Sequence, residues 1–183
     1  MKPLKMETAF KYCFNRPKGM WNILWVLVPI FGWFALGGYG VRLIQEFSKG
    51  KFKKLPVLKF NSDMKLGFFM FLKALPFLIV YMIFIGLLNL IDPWFNLLRI
   101  ITDLFMIPLL SIHFMNKETV ESLFDFKILK AVYENLGDYL ITILKSIALG
   151  IVFLIMWIIL VGIPAGSFTK NIFLADFYRR RVK

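Results

Sequence analysis

Residues 19–41 and 146–169 contain no charged side chain. Each run exceeds the roughly 20 apolar residues that a helix needs to cross a bilayer. Residues 74–91 form a third uncharged run, slightly short. Residues 93–115 form a fourth, which carries Arg99, Asp103 and His113. Hydrophobic residues make up 59% of the 183, with 21 phenylalanines, and the mean hydropathy is +0.71. A soluble domain of this length could not bury so much apolar surface. The expected fold is all-α: a polytopic helical protein of the cell membrane with about four hydrophobic segments.

The formal net charge of +12 would, in a soluble chain, point to nucleic acid. Here the lysines and arginines gather where apolar runs begin or end, as membrane flanks do. No RNP-like, zinc-finger or helix-turn-helix pattern accompanies them, so the expected partner is the lipid bilayer and not nucleic acid. Lys49, Lys51, Lys53 and Lys54 form a dense cluster. They are expected to contact anionic lipid headgroups, at about 1 kcal/mol per basic residue near the surface. Cys13 is the only cysteine, which excludes an intrachain disulfide and a cysteine metal cluster.

The chain reads as one integral membrane domain. Residues 1–18 form a basic segment expected to lie on the membrane surface and to be retained. In the following stretch, 19–47, Pro29, Gly32, Gly37, Gly38 and Gly40 crowd the second half of the apolar run. If every run crossed, the basic residues would divide evenly between the two faces, although cytoplasmic loops should be the richer in Lys and Arg. If the chain turns back at Pro29 and Gly32, each arm is roughly 16–22 Å long at 1.5 Å per residue. Such arms fall short of a hydrocarbon core of about 30 Å, and most basic residues then share one face. The expectation is a broken or re-entrant helix pair over 19–47, with a cytoplasmic N-terminus.

Transmembrane helices are expected over 64–91, 94–115 and 139–163. In the first, residues 61–63 offer N-caps, Pro76 imposes a kink, and Lys73 snorkels to the headgroups. A tight turn at Asp92 and Pro93 leads to the second. Residues 118–136 place Val120, Leu123, Phe124, Ile128, Ala131, Val132 and Leu136 at helical spacing. They predict an interfacial amphipathic helix, stopped by Gly137, with Asp138 capping the next. A second break, at Pro164 and Gly166, echoes the first and opens a return arm and basic tail over 164–183.

Several of these pieces line up in one order. An aromatic first segment (Phe10, Tyr12, Phe14) precedes Pro29 and the stretch Gly38-Tyr39-Gly40-Val41-Arg42. Gly50, Leu55-Pro56 and Met64-Lys65-Leu66-Gly67 follow. Phe124-Asp125-Phe126, Asn135-Leu136-Gly137-Asp138-Tyr139-Leu140, Gly162 and Tyr178-Arg179 complete it. Over nearly its whole length the chain resembles the prokaryotic integral membrane family known as domain of unknown function 4013. It departs from that pattern at Lys170 and Asn171, where the final arm turns polar. The resemblance implies a polytopic helical membrane protein and supplies no agreed activity or catalytic residues.

An intramembrane charge is a functional-site candidate because it is expensive. Asn96, Arg99, Thr102, Asp103 and His113 fall within about a third of the circumference of one helix at 3.6 residues per turn. Arg99 and Asp103, at i and i+4, are spaced to pair. The stripe is either a polar path with a titrating His113 or a buried ion pair that fixes this helix against its neighbours. Nothing resembles HExxH, GxSxG, a Cys–His pair or a nucleotide-binding loop. No catalytic, cofactor-binding or metal-ligating residue is assigned, and no enzyme activity is expected. The sequence favours a non-catalytic subunit or scaffold of a larger membrane assembly, such as a transporter energised by another chain. The alternative is a homo-oligomeric small channel or permease with an Arg/Asp/His-lined path.

Overall fold

Prolines and left-handed residues break the chain at several points. These breaks set the architecture of the computed structural model, which describes residues 2–91 and 94–182. The turn expected at Asp92 and Pro93 lies outside them. Every regular element among the described residues is helical.

α1 (Met6–Phe14) leads into a 3-10 stretch, Pro17–Leu27, opened by its proline. α1 does not lie free on a surface. Ala9, Tyr12 and Cys13 share one helical face and are wholly buried. At Ile30 the chain reverses in a γ-turn: the Phe31 N–H donates to the Pro29 carbonyl at 2.8 Å while Ile30 takes φ 65° and ψ −70°. That conformation is strained, the more so for a β-branched residue. α2 (Phe31–Ser48) then returns along the 3-10 stretch. A Cβ on Gly32 would sit 1.9 Å from the Trp25 carbonyl oxygen. The result is a broken helical pair whose tip, with Leu27, Ile30, Phe31 and Trp33, is apolar and exposed.

α3 (Phe60–Ile91) runs antiparallel to α2. It begins at Phe60, not near Met64, because Asp63 works from inside the first turn. Its Oδ2 accepts from the Lys59 N–H at 2.8 Å, and its two oxygens take the Arg42 guanidinium at 2.8 and 2.6 Å. Where α2 and α3 cross, Gly38 and Gly67 replace side chains with backbone contact. The helix continues through Pro76. Lys73 does not reach outward; its Nζ donates to the Glu118 carbonyl at 2.7 Å.

α4 (Phe95–Phe105) and α5 (Ile107–Lys117) bend by 41° at Met106. Pro108 fits the first turn of α5 but cannot continue α4, so the single helix expected over 94–115 is two. The amphipathic helix expected over 118–136 is likewise absent. Glu118 turns left-handed at φ 57°. Two 3-10 turns follow, Val120–Leu123 and Phe126–Leu129, and then α6 (Lys130–Glu134). Asp125 interrupts the helix by accepting from the Lys127 N–H at 3.3 Å, a local bond that competes with helix continuation. Leu123, Ile128, Leu129 and Val132 point into the core.

α7 (Leu136–Ile155) contains Gly137 within its first turn, so Gly137 stops nothing. After a 3-10 turn, Met156–Ile159, come α8 (Gly162–Thr169) and α9 (Ile172–Arg181). The second break falls at Leu160, with φ 58°. Pro164 and Gly166 lie inside α8, where the proline occupies the tolerant first turn. α9 is the centre of the molecule. Its residues from Ile172 to Tyr178 are all buried, and it packs against α2, α5 and α7. Two helices, over Phe60–Leu88 and Leu136–Ile158, are long and apolar enough to cross a membrane, and the bent α4–α5 pair would make a third. Their outer faces expose Ile79, Ile83, Leu144, Ile151 and Leu154.

The glycine crossing predicts an asymmetry. Gly67→Ala would place a Cβ 1.9 Å from the Phe34 carbonyl oxygen and is expected to cost about 1–3 kcal/mol. Gly86→Ala meets nothing within 4 Å and is expected to be neutral or to stabilise by up to about 1 kcal/mol. Unfolding midpoints in detergent check both. Burial also pushes the Cys13 thiol up to about 12, with Sγ 3.7 Å from the Ala165 carbonyl oxygen. Maleimide near pH 8 is expected to label the folded protein at least about a hundredfold more slowly than the SDS-unfolded chain, because the thiolate is the nucleophile.

Candidate functional site

The five residues of the expected stripe do not share one environment. Asn96 lies in α4, and its side chain falls outside the described residues. Arg99 Nε is 3.5 Å from Asp103 Oδ2, and both side chains are about half exposed. Asp103 also accepts a hydrogen bond from the Tyr81 hydroxyl of α3. Thr102 is half-buried beside them. The bend at Met106 removes His113 from this group. His113 is buried, its Nδ1 is 2.8 Å from the Tyr178 hydroxyl, and its Nε2 is 3.5 Å from Asp125 Oδ2. Burial, and the charge of Asp125, raise the pKa of Tyr178 above its ordinary value. The phenol therefore stays protonated, and it donates to or accepts from Nδ1 according to the tautomer of the ring.

A denser cluster lies at the C-terminal end of α9, and the stripe gave no hint of it. Asp176 is almost wholly buried. Its Oδ1 accepts from Arg179 at 2.6 Å, and its Oδ2 accepts from Arg180 Nε and from the Leu4 backbone N–H, both at 3.0 Å. Arg180 also reaches the carboxylate of Asp138 at 2.5 and 3.2 Å, which Arg181 Nε joins at 2.9 Å. Burial alone would lower the pKa of Arg180; hydrogen bonds and charge from Asp138 and Asp176 raise it instead. Asp138, expected as an N-cap, sits in the first turn of α7 and favours the helix dipole there. The i, i+4 spacing of Asp176 and Arg180 was the available signal. A short, charged final helix gave no reason to expect it inside the molecule.

Chemically this cluster is a clamp. Its carboxylate oxygens are taken by guanidinium or backbone donors, and it ties the N-terminal segment, α7 and α9 together. Among the described residues, no group of three or more His, Cys, Asp or Glu is placed to hold a metal ion. Known protein families, curated proteins and solved structures contain no match to the chain. The basic cluster Lys49, Lys51, Lys53 and Lys54 occupies the C-terminus of α2 and the loop after it, with all four residues exposed. The first break falls at Ile30, next to Pro29, with Gly32 inside the first turn of α2; the second falls at Leu160, with Pro164 and Gly166 inside α8.

The clamp and the outward pair should respond differently to neutralisation. Asp176→Asn leaves Arg180 and Arg179 with a buried imbalance and is expected to cost about 3–5 kcal/mol, the range for breaking a buried pair. Asp103→Asn, at a half-exposed position, is expected to cost far less. SDS-titration unfolding of both variants checks the order.

Proposed function

We propose that this chain is a non-catalytic integral membrane subunit or scaffold, whose role is to hold a partner within the bilayer. The carrying observation is the outward position of the Tyr81–Asp103–Arg99 group. It sits on an apolar flank, among exposed Leu97, Ile100, Ile101 and Leu104. Tyr81 lies eight residues beyond Lys73 on α3, about 12 Å at 1.5 Å per residue, with no charge between them. Charged groups at such depth are rare and pair or face protein. A partner helix bearing a polar side chain would remove the cost. The separation of His113 from this pair supports the subunit reading over the alternative of a homo-oligomeric Arg/Asp/His-lined channel. Under this proposal the protein resides in the cell membrane with its N-terminus cytoplasmic.

Native mass spectrometry of the tagged protein, extracted from its own membrane in mild detergent, tests the proposal. The expected result is a second polypeptide at fixed ratio, retained by the wild type and lost in the charge-neutral double variant Arg99→Gln/Asp103→Asn. A monomer overturns it. So does a homo-oligomer without other chains whose conductance in planar bilayers changes with the same double variant.

A further inference from the structure

We propose that the cleft between the end of α1 and the loop after α2 is a binding site for the phosphate of an anionic phospholipid headgroup. The cleft has a volume of about 650 Å³ and is lined by Arg16, Lys51, Lys53 and Lys54, with Glu46 the acid on its wall. Its floor is rigid. α2 ends in a Schellman motif, in which the Lys51 N–H donates to the Glu46 carbonyl at 3.0 Å and the Gly50 N–H to the Phe47 carbonyl at 2.8 Å. Gly50 takes the left-handed φ of 76° that this motif requires.

Three side chains then pin the residues that follow. Asn15 Nδ2 donates to the Lys53 carbonyl at 2.7 Å, Arg16 to the Leu55 carbonyl at 3.1 Å, and the Tyr39 hydroxyl to the Pro56 carbonyl at 3.1 Å. Leu55 is wholly buried beneath them. The backbone that carries the lysines is therefore pinned in place. Among the described residues none of the three ammonium groups has a carboxylate within ion-pair distance. Arg16 spends one donor on Leu55 and keeps the rest of its planar fork, which suits phosphate geometry.

A second feature selects a lipid over a free anion. The 3-10 stretch packs on Leu55 at Gly19, where a Cβ would lie 3.2 Å from the Leu55 side chain. From that contact it runs to the exposed apolar tip through Trp21 and Leu24, themselves exposed. An apolar track thus leaves the edge of a basic cleft, matching acyl chains that leave a phosphate.

The test uses the full chain in neutral detergent, with lipid retention read by native mass spectrometry. Phosphatidylglycerol is expected to be retained at least tenfold more than phosphatidylcholine. That excess is expected to fall at least tenfold in the triple variant Lys51→Gln/Lys53→Gln/Lys54→Gln, whose positions are exposed and leave the fold intact. Lys65→Gln/Lys127→Gln/Lys130→Gln removes the same charge elsewhere and is expected to retain the lipid. Equal loss in the two triple variants, or no preference for phosphatidylglycerol, overturns the site. Lipid that stays against excess inorganic phosphate assigns the cleft to a headgroup. Phosphate binding without retained lipid overturns that assignment and leaves free phosphate as the ligand.

Discussion

The position of α9 depends on one buried guanidinium. A helix ending in Arg179, Arg180 and Arg181 belongs, by composition, at a surface. Arg180 is nonetheless almost wholly buried, held between Asp176 on its own helix and Asp138 on α7. Two carboxylates around it satisfy the donors that burial takes from water, so desolvation is offset where an unpaired charge would be excluded. With that end secured, the apolar residues of α9 before it fill the space between α2, α5 and α7. Edge-on contact between Tyr139 and Phe177, at 5.1 Å between ring centres, closes the same seam. The Leu4 N–H on Asp176 then draws the N-terminal segment in, which brings α1 into the core instead of leaving it on a surface.

The broken helices obey a second constraint. Each break frees backbone groups, and where water is scarce those groups must find partners. The end of α5 is a clear case. Gln45 donates to the Met115 carbonyl at 2.8 Å, Asn116 to the Ile112 carbonyl at 2.8 Å, and Lys73 to the Glu118 carbonyl at 2.7 Å. Gln45 on α2 and Lys73 on α3, with Asn116 of α5 itself, thus finish this helix. The strained turn at Ile30 depends instead on the close contact of Gly32 with the Trp25 backbone, because packing must over-determine a conformation that local energetics disfavour.

Polar groups are sorted by this arrangement into a sealed set and an open set. Asp63 with Arg42, His113 with Tyr178, and the α9 clamp are enclosed and internally paired. The lysines of the loop after α2 and the Tyr81–Asp103–Arg99 group face outward. The enclosed set hold the bundle together. The outward set are free to meet lipid or protein.

The sequence alone determined the helical class and the presence of apolar helices long enough to cross a membrane. Charge-free length did not say where they run, because the runs 19–41 and 146–169 break at Ile30 and Leu160. Tertiary structure decided the rest. Residues 118–136 place apolar side chains at helical spacing, but local capping by Asp125 and the burial of Leu123 in a different cluster from Ile128 and Val132 divide them. Arg99, Asp103 and His113 share a stripe on an ideal helix; a 41° bend beside Pro108 gives them different surroundings. Asp138 and Arg180, 42 residues apart, carry no local sign of each other. Their pairing exists because the fold returns the last helix to the start of α7, and periodicity along a chain cannot report which helix ends meet in space.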